Sequence, residues 1–183
     1  MKRLTAIQVA DHMLFLAYAQ GQSLCREKLC GLVFLAHGWH LVLFDKPLFS
    51  DPVEYGPNGP VIAALDRKLA RYKKAQPIHA QAMLSASHCL SPTDRYSASP
   101  ITGGCADMLD ILVRHYKNTH AEVITGLIAV QIGHIPHPRH LHDKGSADIK
   151  PLYPRLALSD REIAASFREK ITHLAKHLTP HHA

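Results

Sequence analysis

Four histidines in a proline-interrupted segment are the residues of this chain whose types could do chemistry: His134, His137, His140 and His142. Imidazole nitrogens are ordinary zinc ligands, and a zinc held by three histidines can keep a position open for catalysis. The segment lacks the His-Glu-x-x-His spacing that places two ligands on one helix face. Because its prolines favour extended backbone, the imidazoles need not converge. We therefore expect an ordinary His-rich loop, no bound metal and no cofactor.

Nucleophilic catalysis has little support in the sequence. The four cysteines are Cys25, Cys30, Cys89 and Cys105, and none forms a Cys-x-x-Cys pair. Among fifteen histidines some Cys–His pair can always be imagined, so such a pair without a local nucleophile signature carries little weight. We expect reduced thiols, a cytoplasmic protein and no enzymatic activity.

A basic run lies in the predicted third helix. The formal net charge is +6, and five cationic side chains fall close together: Arg67, Lys68, Arg71, Lys73 and Lys74. Such a run can be a solvated helix face, a contact for phosphates or a contact for an acidic protein. Neither interleaved aromatic residues nor a nucleic-acid recognition motif accompanies it. We expect Arg67, Lys68, Arg71 and Lys74 to contact a protein partner, with nucleic acid as the alternative.

The single tryptophan, Trp39, stands between His37 and His40. The three side chains could form a binding face, or Trp39 could pack in the core. We expect packing, with both histidines at the helix edge, because large aromatic side chains dominate core energetics. Glu54 precedes Gly59-Pro60, and we expect its carboxylate to accept backbone N–H groups at the start of the next helix.

These residues must be positioned by helices. The length of 183 residues predicts one domain, which we place at residues 1–178, followed by a flexible His-containing tail at 179–183. Apolar periodicity, Gly and Pro positions and three capping boxes predict a mainly α, compact fold of about six helices with at most a small β element. The helices are predicted over residues 5–19, 23–44, 60–74, 104–117, 119–132 and from 159 onward.

The second predicted helix is apolar on most sides. Its most apolar part, Cys30 to Phe44, is expected to be too short to span a membrane and carries two histidines. We expect it to be the central buried helix. Asp11 and His12 interrupt the apolar run near the amino terminus, which argues against a signal peptide.

The stretch from Lys28 to Val61 resembles the Panacea domain, a family also described as SocA-like or GepA-like. The matching residues are Lys28, Leu29, Gly38, Trp39, Leu41, Lys46, Pro47, Leu48, Phe49, Glu54, Gly59, Pro60 and Val61. The chain departs from the family pattern at Gly56, Ala63 and Asp66.

The resemblance implies an antitoxin or a related protein of a prophage or other mobile genetic element. Such a protein has no catalysis of its own and neutralises a toxin, encoded by a neighbouring gene, through direct contact. Two alternatives stay open: a nucleic-acid-binding regulator of a mobile element, suggested by the charge, and a His-rich metal-dependent enzyme, suggested by the histidine count.

Overall fold

The computed structural model describes residues 4–56, 59–73, 75–78, 101–132 and 156–178, with only the backbone described for 156 and 171–178. This part of the chain holds six helices and five short strands, so the predicted mainly α fold is confirmed. The helices are α1 (Ala6–Ala19), α2 (Arg26–Phe44), α3 (Ala63–Leu69), α4 (Gly104–His115), α5 (Ala121–Ile132) and α6 (Asp160–Leu178). The strands are β1 (Leu24–Cys25), β2 (Val53–Gly56), β3 (Gly59–Ile62), β4 (Pro77–Ile78) and β5 (Leu156–Leu158).

Helix α1 begins and ends as its sequence predicts. The Thr5 hydroxyl accepts the Gln8 backbone N–H at 3.2 Å, and the Gln8 side-chain oxygen accepts the Thr5 N–H at 2.9 Å. This reciprocal capping box satisfies donors that a helix start leaves without partners. At the other end Gly21 has a φ of 67°, and the Gln22 N–H closes the turn on the Ala17 oxygen.

Helix α2 is the core of the molecule and packs against α1, α4, α5 and α6. Two glycines allow the closest of these approaches. A Cβ at Gly31 would lie 2.7 Å from Cγ2 of Ile124 in α5, and a Cβ at Gly38 would overlap the ring of Phe167 in α6. The helix begins at Arg26, three residues later than predicted, because Leu24 and Cys25 pair with β4 instead.

The prediction that this helix is too short for a membrane span is wrong. Within the described residues α2 is the one helix whose 19 residues and composition would allow it to cross a membrane. The most apolar window is 61% buried against the rest of the protein. A largely buried, apolar helix is what the centre of a globular helical domain requires.

A three-stranded antiparallel sheet, ordered β3-β2-β5, lies beside the helices. Pro60 belongs to β3, opposite Tyr55 of β2, so the prediction that Pro60 starts a helix is wrong. Proline has no N–H to donate, and β3 is an edge strand, where that loss is tolerated. Helix α3 starts only at Ala63 and ends at Leu69.

Helix α6 completes the core. It opens with the predicted capping box, in which the Ser159 N–H donates to the Glu162 carboxylate at 2.9 Å and the Glu162 N–H donates to the Ser159 hydroxyl. Further along, the Gln131 side-chain amide donates to the Ser166 backbone oxygen at 2.9 Å, and the Ser166 hydroxyl donates to the Gln131 backbone oxygen. These buried bonds fix α6 against α5.

Candidate partner-binding surface

The predicted contact residues lie on α3 and the turn after it, and we call Arg67, Lys68, Arg71 and Lys73 the basic surface. Arg67, Arg71 and Lys73 are exposed, and Lys68 is half-buried. Since α3 ends at Leu69, Arg71 and Lys73 lie beyond the helix and not on its face as predicted. Lys74 lies outside the described residues.

The basic surface has a firm support. Leu65 and Leu69 are buried on the inner side of α3 and anchor it in the core. Arg26 at the start of α2 forms an ion pair with Asp66 at 2.6 Å and also donates to the backbone oxygen of Tyr72 at 3.4 Å. One guanidinium therefore ties both the helix and the following turn to α2.

The cationic groups of this surface have only local contacts. Arg67 Nε donates to the Ala63 backbone oxygen at 3.3 Å, and the Arg71 guanidinium lies 5.1 Å from the centre of the Tyr72 ring. Within the part of the chain that the structure describes, none of the four residues of the basic surface forms an ion pair. Their charges are therefore not neutralised within these residues.

The predicted arrangement around Trp39 is partly reversed. Trp39 is half-buried and meets the Phe167 ring edge-on at 5.5 Å, so it packs at the border of the core. His37, expected at the helix edge, is 1% exposed. Its Nε2 lies 3.0 Å from the Asp160 carboxylate, and its ring lies 4.2 Å from the ring of Phe49. Position 37 of α2 faces the start of α6. The apolar periodicity of the sequence did not reveal this contact.

Burial lowers the pKa of His37 below its ordinary value, and the hydrogen bond to Asp160 opposes that shift only in part. The ring is therefore held in its neutral form. Nδ1 is buried and has no hydrogen-bond partner among the described residues. A neutral imidazole that donates from Nε2 to a carboxylate is a structural link between α2 and α6.

Many of the residues on which the predicted family resemblance is based lie in the core or the sheet. Buried members are Leu29, Gly38, Leu41, Leu48 and Phe49, whereas Lys46 and Pro47 are exposed. The backbone oxygen of Lys46 accepts from Nδ1 of His40 at 2.7 Å, which closes the turn after α2. Lys28 Nζ donates to the backbone oxygen of Lys117 at 2.9 Å.

Glu54 is a residue of the central strand β2, between Val61 of β3 and Ala157 of β5. Helix α3 begins after Ile62 without any side-chain cap. The helix that this role assumed does not start at Pro60, because the segment after Gly59 is a strand, and the predicted role of the Glu54 carboxylate stays a prediction.

The metal prediction stays untested. Residues 4–56, 59–73, 75–78, 101–132 and 156–170 contain no group of three His, Cys, Asp or Glu side chains able to hold a metal ion. His134, His137, His140 and His142 lie outside the described residues, as does Cys89. Cys25, Cys30 and Cys105 are free thiols, and burial raises the pKa of Cys30 to about 12.

An exposed apolar stripe on α5 was missed by the sequence analysis. Val123, Leu127 and Val130 are 52%, 37% and 70% exposed. Their spacing of four and three residues places them on one helix face, next to the side that carries the buried Ile124 and Ile128. The signal was present in the sequence, because α5 is apolar on nearly every side and only one side can face α2.

The chain matched no family model, no curated protein and no solved structure. The resemblance to the Panacea domain stays a prediction from the residues between Lys28 and Val61. The partner it implies enters below as a proposal.

Proposed function

We propose that this protein acts by binding another protein, as an antitoxin-like domain that neutralises a partner toxin through direct contact and performs no catalysis of its own. The observation that carries the proposal is the basic surface. Three exposed cationic side chains and a fourth, half-buried one are held on a firm base, and no carboxylate of the described residues pairs with them.

Unpaired charges on a rigid base suit an acidic partner. Charge complementarity at an interface speeds association and selects against partners of like charge. The rigidity of α3 also favours binding. The Arg26–Asp66 ion pair and the buried side chains of Leu65 and Leu69 hold this helix in place before a partner binds. Less side-chain and backbone entropy is then lost when the partner docks.

The apolar stripe of α5 (Val123, Leu127 and Val130) favours a protein partner over nucleic acid. Exposed apolar patches mark protein interaction sites more often than nucleic-acid sites, whose surfaces are polar and strongly cationic. The resemblance of residues 28–61 to the Panacea domain points the same way, since it implies a toxin as the partner.

A charge-reversal variant tests the proposal. The triple change Arg67→Glu, Lys68→Glu and Arg71→Glu should weaken capture of the neighbouring gene's product and its neutralisation, by roughly tenfold or more in affinity, if each lost pair contributes about 0.5–1 kcal/mol. Thermal melting should change little, because these side chains make no long-range contact among the described residues.

The matched control reverses three cationic residues elsewhere that form no ion pair among the described residues: Lys46, Arg161 and Lys170. It lowers the net charge by the same amount, so a general charge effect would weaken binding equally in both variants. Equal weakening, or a neighbouring gene product that is harmless when expressed alone, would refute the antitoxin proposal. Salt-sensitive binding of duplex DNA by the unchanged protein, lost in the first variant only, would establish the regulator instead.

A further inference from the structure

An open cavity lies between the start of α2 and the loop that joins α4 to α5. Its volume is about 390 Å³, within the range of small-ligand sites. The lining residues are Ser23, Cys25, Lys28, Ala75, Pro77, Lys117, Asn118, Thr119, His120 and Ala121. Two of these side chains, Lys28 and Lys117, are cationic and none is acidic, so the cavity concentrates positive charge.

Two lysines form a short chain along one wall. Lys28 Nζ donates to the backbone oxygen of Lys117 at 2.9 Å, and Lys117 Nζ donates to the backbone oxygen of Gln20 at 3.2 Å. Both ammonium groups are held by carbonyl oxygens, and neither forms an ion pair with a carboxylate of the described residues. An ammonium has three donors, so each keeps two for a further acceptor.

Partial burial disfavours the charged form of Lys28, and a bound anion would offset this loss of hydration. Loss of hydration lowers the pKa of Lys28, and the opposing contribution comes from the Cys25 thiol and not from an acidic residue. A negative charge bound in the cavity would favour the charged ammonium.

Polar groups beside the lysines complete the lining. His120 and Ala121 line the cavity where α5 begins, so the amino-terminal end of a 12-residue helix, which carries a partial positive charge, lies at its wall. Ser23 and Thr119 supply hydroxyls, and Asn118 supplies an amide. Hydroxyl, amide and ammonium donors together suit the oxygens of one phosphate or carboxylate group.

We propose that this cavity binds the phosphate or carboxylate group of a small anionic ligand, with Lys28 and Lys117 as its main cationic contacts. No residue of the basic surface lines the cavity, although the lining residue Ala75 follows Lys73 by two positions. The proposal does not depend on the toxin-binding function, and loss of one leaves the other intact.

Titration of the full chain with inorganic phosphate, AMP and citrate, followed by amide NMR shifts and calorimetry, tests the site. We expect saturable binding of at least one anion, with the largest shifts at Cys25, Ala121 and Glu122. Phosphate or AMP without citrate identifies a phosphate site, and citrate alone identifies a carboxylate site. Lys28→Gln should weaken binding roughly tenfold, as expected for a lost charge-assisted bond, whereas Lys73→Gln should change it less than about twofold.

Lys117→Gln is the second variant, since Lys117 is exposed and its loss threatens the fold less than that of Lys28. It too should weaken binding, with an unchanged melt. No saturable binding of any of the three anions overturns the proposal. So do shifts spread equally over Arg67 and Arg71, or binding unaffected in both Lys28→Gln and Lys117→Gln.

Discussion

Two buried histidines, His12 and His37, should make the stability of the fold depend on pH. His12 in α1 is 4% exposed, and burial lowers its pKa to about 4, against a smaller opposing effect of Asp110. His37 is shifted in the same direction by burial. Both rings are neutral in the folded protein at neutral pH, whereas in the unfolded chain they titrate near 6.5.

The free energy of unfolding should fall as the pH drops from about 6.5 towards 4. The unfolded chain then binds protons that the folded protein excludes. The contribution of the two neutral histidines to the free energy of unfolding is therefore fully present above pH 6.5 and is lost on acidification. For His12 the full shift corresponds to about 3 kcal/mol. Urea unfolding at several pH values measures the slope.

His12→Gln should flatten that slope, and His115→Gln is the control because His115 is exposed. Only the pH dependence is compared, since His12→Gln also changes packing. The same slope in both variants would show that the pKa of His12 is the same in the folded and the unfolded protein.

Any side chain larger than that of glycine at position 38 should destabilise the fold for steric reasons. Gly38→Ala would place a methyl group into the Phe167 ring and force α2 and α6 apart, at a cost of about 1–3 kcal/mol. Gly126→Ala is the matched control, because a Cβ there meets nothing within 4 Å. That control should stabilise α5 by up to about 1 kcal/mol. Chemical denaturation of both variants measures the two changes in stability. An unchanged midpoint for Gly38→Ala would contradict the close packing of Gly38 against Phe167.

At the scale of elements, capping boxes located the starts of two helices, α1 and α6. The boxes at Thr5 and Ser159 mark true helix starts because each couples a hydroxyl with an acceptor three residues on. The same spacing at Thr119 and Glu122 predicted α5, yet α5 begins at Ala121 and Thr119 lines the cavity instead. The pattern is local, and which residue caps a helix depends on the packing around it.

Thr5→Ala should therefore cost about 1 kcal/mol, the usual value of a lost N-cap. Thr119→Ala should cost clearly less, because no capping bond of Thr119 is found in the described structure. Thermal melting of the two variants, in the same buffer, compares them directly. Equal destabilisation would show that Thr119 caps α5 in solution.

The sheet was the main element that the sequence analysis missed. Pro57-Asn58-Gly59 is a turn signal between two short extended segments, and it predicts a hairpin at least as well as Pro60 predicts a helix start. The third strand could not be found this way. β5 joins β2 from about a hundred residues later in the chain, and such pairing leaves no local pattern.

At the scale of the molecule, the sequence predicted the central helix but not the positions that its neighbours would take. Its apolar run identified α2 as the core, and the basic run identified exposed charge at Arg67 and Arg71. The cavity around Lys28 and Lys117 could not be predicted, because it joins the start of α2 to a loop almost ninety residues away. Long-range contacts of this kind depend on the packing of the whole molecule.

The packing of α6 on α2 should be required for folding. A chain that ends at residue 155 lacks β5 and α6. It therefore exposes the face of α2 on which Phe34, His37 and Gly38 lie. We expect it to lose cooperative unfolding, measured by circular dichroism and calorimetry. A chain ending at Leu178 keeps every described element and is the control. A sharp transition in the shorter chain would show that α1 to α5 fold alone.

The hydrogen bond between His37 and Asp160 joins residues 123 positions apart. During translation at roughly 5–20 residues per second, α2 leaves the ribosome about 6–25 seconds before the helix that covers it. In that interval the nascent chain carries an apolar helix with one side open. Chaperones recognise such segments, so the rate of synthesis between these two helices becomes a factor in how much protein reaches its native state.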